Sequence, residues 1–429
     1  MTKYPTYKDS GIEWLGQIPT HWEMLKAKYM FQKNKREVQD GDKVITCFRD
    51  GQVTLRENRR TTGFTESITE IGYQGIRKGD LVIHQMDAFA GAIGVSDADG
   101  KGTSVYHCCT PKGEYLTYYY AHVIREMALK GYIQSLYRGI RERSSDFNYV
   151  TFGNCLLPVP SPSEQRQIVA YLDYKSNKIN ERICQREREL QTLSELKQAE
   201  IATVVIRGLD PNVPMKESGI EWIGQIPAHW EVTQLRKYLR LFSDKGHPDM
   251  DLLSVTREQG VIVRDITSKE ENHNFIPDDL SGYKLIQKGQ FAINKMKAWQ
   301  GSYGVSKYKG IVSPAYYTCE LNNIDTEYFD VAIRSQAYIG FFTKYSKGIR
   351  SGQWDLSPDA LKSIPFVEPP IVEQRAIVSY ITEISEKIDS YITKLKEEIN
   401  YLQEYKQRLI SDVVTGKVDV RGVEIPNEE

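Results

Sequence analysis

The chain has 429 residues, too many for one ordinary core, so two or three domains are expected. Its 40% hydrophobic and 26% charged residues are those of a soluble globular protein, and no apolar run approaches the roughly 18 residues that a membrane helix requires. The formal net charge of −1 lacks the basic excess that phosphate contacts often bring to a nucleic-acid binder, so DNA binding would have to rest on local positive charge or on partners.

The opening "MTKYPTYKDS" is polar and has no apolar stretch, so no signal peptide is expected. Next comes "SGIEWLGQIPTHWE" (residues 10–23), which returns as "SGIEWIGQIPAHWE" (218–231) with only Leu15/Ile223 and Thr20/Ala228 changed. Residues 24–72 and their counterparts 232–282 have almost nothing in common. Matching then resumes. "YQGIRKGDLVIHQMDAFAGAIGVSD" (73–97) aligns with 283–307 through Lys78/Lys288, Gly79/Gly289, Met86/Met296, Gly91/Gly301 and Gly94/Gly304. Residues 138–172 align with 347–381, and "LSELKQAEIATVVIRGLD" with "LQEYKQRLISDVVTGKVD" around Lys197/Lys406 and Val205/Val414. The offset stays at 208 to 210, so two tandem copies fill nearly the whole chain. Two units are too few for an open solenoid, which predicts two halves related by a pseudo-twofold axis. A constant framework around a changed insert is expected when two copies of one scaffold read two different things.

Each copy divides in two. Short runs such as "DLVIHQM" and "QFAINKM" after "KGD" and "KGQ" predict strands following tight turns, with a helix over 118–130. "AGAIG" and its counterpart "QGSYG" lack the spacing of a phosphate loop and predict a strand turn. Each copy ends in about 40 residues without Pro or Gly. In the first copy Ser161, Pro162 and Glu164 form a capping box at the entrance, and Gly208 is the stop. "EPPI" (368–371) is the matching entrance in the second copy. Ile168, Leu172, Ile179, Ile183, Leu190 and Leu193 recur at heptad-like spacing. So do Ile377, Ile381, Ile384, Ile388, Leu395, Ile399 and Leu402. Each stripe needs a partner, and the other stripe is the simplest one. The prediction is an α+β fold in which two globes of mixed helix and strand alternate with two long helices paired as an antiparallel coiled coil. Forty residues make a rod of roughly 60 Å with the globes at opposite ends.

Catalytic signatures are missing: there is no GxGxxG, GxxxxGK[ST], HExxH or GxSxG. The histidines do not cluster as metal ligands do, and His21 and His229 beside Trp22 and Trp230 suggest packing or capping. The six cysteines (Cys47, Cys108, Cys109, Cys155, Cys184, Cys319) show no CxxC spacing, which suits reduced thiols in a cytosol. What remains is a set of cations in turns. Arg141 with Arg143, and Arg350 with Gln353, follow matching Gly-Ile sequences, and these side-chain types pair with guanine and adenine edges. Arg49, Arg56, Arg59 and Arg60 fall in one insert, and Arg257 and Arg264 in the other. Gln85, Lys295 and Lys297 complete the set, the lysines suited to phosphates, which position without specifying. Taken singly these are ordinary solvated charges. Concentrated in turns and differing between copies, they predict a reading surface.

The doubled "SGIEWLGQIPTHWE", the stretch "KGIRSGQWDLSPDALKSIPFVEPPIVEQRAIV" and "SPSEQRQIV" make the whole chain resemble the specificity subunit of Type I restriction–modification systems. The resemblance implies target recognition domains at 1–160 and 209–368, spacer helices at 161–208 and 369–415, and a tail at 416–429. It implies that each domain binds one half of a split, asymmetric double-stranded DNA sequence. It also implies docking of two methyltransferase (modification) subunits and of endonuclease (restriction) subunits. The subunit itself would be no enzyme, hold no cofactor and work in the prokaryotic cytoplasm. S-adenosylmethionine, ATP and Mg would belong to the partners, which could also supply phosphate binding. The repeated sentence would start each recognition unit, with Trp14/Trp22 and Trp222/Trp230 sealing each globe to a rod end. A structural adapter that ignores DNA and a free-standing nuclease are the rival classes.

Overall fold

The computed structural model describes residues 2–59, 72–136, 147–265, 277, 279–348 and 354–426. The chain forms two compact units, one of residues 1–186 with 397–429 and one of residues 187–396. Both boundaries fall inside long helices, Pro162–Arg207 and Ile371–Val414.

In the first unit a four-stranded antiparallel sheet has the spatial order Phe31–Asn34, Tyr106–Pro111, Leu81–His84, Ile93–Val95. The helix Thr117–Leu129 packs on it and buries Tyr119, Tyr120, Ile124 and Met127. The second unit repeats this order with Leu239–Phe242, Tyr316–Leu321, Phe291–Asn294 and Tyr303–Val305 under the helix Thr326–Arg334. The described parts of the divergent inserts also share an element. Each contains a short antiparallel hairpin, Ile45–Cys47 with Val53–Leu55, and Leu253–Thr256 with Gly260–Val263. Alternating apolar residues (Ile45, Cys47, Val53; Leu253, Val255, Val261) anchor these hairpins, so pattern survives where identity does not.

The heptad stripes are buried toward both ends of the helices and partly buried at Leu190, Leu193, Ile384 and Ile388 between them. Ile168, Leu172 and Ile179 join the first core together with Leu409 and Val413, and Ile377 and Ile381 join the second with Val204 and Val205. Within the first unit Lys406 Nζ donates to Asn180 at 2.9 Å, and Arg186 Nε meets Glu398 at 3.0 Å. Within the second, Tyr391 donates to Glu189 at 2.8 Å, Lys197 to Asp389 at 2.7 Å and Tyr380 to Glu200 at 2.7 Å. Partner numbers fall as helix numbers rise, so the pairing is antiparallel.

The repeated sentence is a clamp on these helices. Ser161 Oγ caps the first helix by accepting from Glu164 N at 3.3 Å. The Glu164 carboxylate does not reach back as a capping box would; it accepts from Tyr4 Oη at 2.6 Å and Trp22 Nε1 at 3.1 Å, and pairs with His21 Nε2 at 3.0 Å. Glu373 takes His229 at 2.6 Å and Trp230 Nε1 at 2.9 Å in the same way. Gln165 and Gln374 tie the same entrances to the globe, accepting from Leu116 N and Asp325 N at 2.8 and 3.0 Å. The helix that ends in each unit meets the same tryptophan. Gly416 lies against Trp22 and Pro19, and Gly208 against Trp230 and Pro227, both at φ +75° where a β-carbon would be strained and crowded. Trp22 and Trp230 therefore join a helix start to a helix end. Trp14 and Trp222 do not: Trp14 packs on Tyr132, and Trp222 lies half-exposed on Phe341 under Lys344.

Candidate nucleic-acid interface

Three segments converge at one end of each globe: the hairpin tip, the turn after the third strand of the framework, and the chain that returns from residues 137–146 or 349–353. In the first globe Arg49 at the tip pairs with Asp87 of the turn at 2.9 Å. Arg59 pairs with Asp50 at 2.7 Å and lies 4.3 Å over the Phe48 ring. The Gln85 carbonyl accepts from Phe147 N at 3.1 Å, which fastens the third segment. In the second globe Leu356 N donates to the Lys295 carbonyl at 3.1 Å, and Lys295 Nζ pairs with Asp355 at 3.1 Å. Arg257 packs beside Gly301, and Lys297 is exposed in the turn. Exposed pairs of this kind are worth about 0–1 kcal/mol, so the cations can exchange their carboxylates for phosphates at little cost.

The structure thus gathers Arg49, Arg59 and Gln85 in one globe, and Arg257, Lys295 and Lys297 in the other. Arg56 and Arg264 stand apart from the tips. Their backbone N–H groups donate to Val44 and Leu252 at 2.8 and 2.9 Å, at the base of each hairpin. Arg60, Arg141, Arg143, Arg350 and Gln353 lie outside the described residues. The glycine turn is a strand turn, with Gly91 and Gly301 at φ +89° and +92°, and Gly94 packs directly under the carbonyl of Gly51 at the hairpin tip. Among the described residues no group of three His, Cys, Asp or Glu side chains is placed to hold a metal ion, and no helix is long and apolar enough to cross a membrane. All six cysteines are free.

No protein-family model matches the chain. It is 22% identical over 290 residues to the specificity subunit of the Type I restriction enzyme MjaVIII of Methanocaldococcus jannaschii, a match covering 63% of this chain and 64% of that relative. The match therefore spans less than two thirds of the relative's length. Among solved structures the chain is similar, at a TM-score of 0.63 and 14% identity, to a chain from work on complex assembly and conformational transition of the type I R-M system; 94% of this chain and 99% of that one are covered. The crystal structure of the HsdS subunit from Thermoanaerobacter tengcongensis follows at a TM-score of 0.50 and 14% identity, covering 94% and 98%. This is the fold of a Type I specificity subunit.

Within that specificity-subunit fold, two residues that the sequence reading passed over sit behind the candidate surface. Arg125 and Arg334 occupy matching places on the framework helices and reach the backbone of the hairpin tips. The available signal was the alignment of "AHVIRE" with "DVAIRS" at the common offset. His21, His229, Glu164 and Glu373 were legible only as separate motifs, because nothing local says that residues about 143 apart will meet.

Proposed function

We propose that the chain is the DNA-recognition subunit of a Type I restriction–modification complex. Each globe reads one half of a bipartite, asymmetric target, and the paired helices dock two modification subunits and set the spacer. The observation that carries this reading is the site itself: two globes share one framework and present different cations at the same end. The likeness to specificity subunits supports it. The chain supplies no catalytic group in this reading. The modification subunits bring S-adenosylmethionine, the restriction subunits bring ATP and Mg, and the complex works in the cytoplasm. The proposed contacts are Arg49, Arg59, Gln85, Arg257, Lys295 and Lys297, with Arg141, Arg143, Arg350 and Gln353 retained from the sequence. Arg56 and Arg264 are assigned to phosphates beside the reading surface.

The test is to co-express the chain with its modification subunit and map adenine methylation across the host genome. A split motif with a fixed spacer is expected. A stable complex that deposits no methylation would mean an adapter, and DNA cleavage by the chain alone would mean a nuclease.

A further inference from the structure

The two inserts share almost no sequence, yet both hairpin tips are held by one framework residue. In the first globe Arg125 Nη1 donates to the carbonyl of Arg49 at 3.2 Å and to that of Gly91 at 2.6 Å. In the second, Arg334 Nη2 donates to the carbonyl of Glu258 at 2.6 Å. Arg49 and Glu258 each stand two residues before a glycine of positive φ, Gly51 at +92° and Gly260 at +71°. The guanidinium fills the space that a side chain at that glycine would need, and a β-carbon at Gly260 would lie 2.8 Å from Arg334 Nη1. Arg334 is steadied from behind by Asp330 at 3.7 Å, whose other oxygen accepts from Val305 N at 2.7 Å. In the first globe Ala121 takes that place, and the second carbonyl, Gly91, holds the guanidinium instead.

Keeping the Arg125 charge half-buried against backbone carbonyls is costly, and burial lowers its pKa from its ordinary value, opposed in part by the Asp50 carboxylate. A hydrophobic residue would fill a framework helix more cheaply. What arginine adds is a rigid fork of donors that grips backbone rather than side chains. Such a grip accepts any tip sequence that keeps its carbonyls and its glycine, which is what a scaffold with interchangeable reading residues needs.

We infer that Arg125 and Arg334 are positioning residues for base recognition, each fixing the variable hairpin tip of its own globe against the framework. This rests on the recognition reading above. The test uses the complex with the modification subunit, carrying Arg125→Met or Arg334→Met, with Arg125→Lys and Arg334→Lys as variants that keep charge and one donor. Methylation is counted at cognate sites and at sites with one base changed, separately for each half-site. Arg125→Met should raise relative methylation of changed sites about tenfold in one half only, Arg334→Met should do so in the other, and the lysine variants should fall between. Unaltered base preference in an intact complex would overturn the inference. So would an equal loss at all sites, or methionine variants that fail to fold while lysine variants keep the wild-type preference. A wild-type complex that deposits no split motif would overturn the recognition reading and this inference with it; a wild-type motif with unmoved variants overturns the inference alone.

Discussion

Glu164 shows how much one side chain can hold. It is buried, and its two oxygens serve the hydroxyl of Tyr4, the indole of Trp22 and the imidazole of His21. Glu373 does the same work with fewer donors and a side chain 38% exposed, against 3% for Glu164. A buried donor left without a partner costs about 1–3 kcal/mol. Glu164→Ala should therefore cost about 3 kcal/mol and Glu373→Ala about 1 kcal/mol, read as shifts of the denaturation midpoint; equal shifts would contradict the burial argument. His122 gives a pH dependence. Burial first, then the Arg125 guanidinium and the Lys406 ammonium, pull its pKa from 6.5 to about 4. The folded value lies below the unfolded one, so the unfolded chain takes the proton first as pH falls. This contribution is complete above pH 6.5 and is lost between there and pH 4, about 3 kcal/mol. His122→Gln should flatten the melting temperature across that interval, and an unchanged slope would rule out His122 as its source.

At the scale of elements, the long helices and the framework were readable because their signals are local. Proline and serine at the entrance, glycine at the stop and the apolar heptads each act over a few residues. The hairpins inside residues 24–72 and 232–282 were not readable as a common element, since comparing identities discards the alternation that builds them. The candidate surface was half legible. Cations in turns could be listed, but the separation of Arg56 and Arg264 from the tips depends on which end of a three- or four-residue strand each one leaves. The elements also sort the thiols. Cys47, Cys108, Cys109, Cys155 and Cys319 lie in or beside strands, and burial pushes them up, Cys108, Cys155 and Cys319 to about 12. Cys184 is exposed on the first long helix. An aromatic disulfide reagent should titrate one thiol quickly in the native chain and six only after unfolding; a Cys184→Ser variant should lose the fast phase.

At the scale of the molecule, the proposed spacing function has a numerical consequence. Four residues inserted into each long helix at paired positions add about 6 Å of helix, close to two base pairs at roughly 3.4 Å each. The methylated motif should keep both half-sites and gain about two base pairs between them. A spacer of unchanged length would separate helix length from target geometry.

The two units look alike, yet they are threaded differently. The second is one continuous stretch, residues 187–396, whereas the first is assembled from residues 1–186 and 397–429. Trp22 therefore waits for Gly416, a partner nearly 400 residues downstream, while Trp230 meets Gly208 within a short turn of chain. Closing a loop of nearly 400 residues costs about 5 kcal/mol of chain entropy, and slow folding follows from such distant contacts. On the ribosome the first globe must stand with its helix groove open until residues 397–429 have emerged. Near-identical architecture thus implies a temporal order: residues 187–396 can close their unit as soon as they emerge, whereas residues 1–186 wait for 397–429.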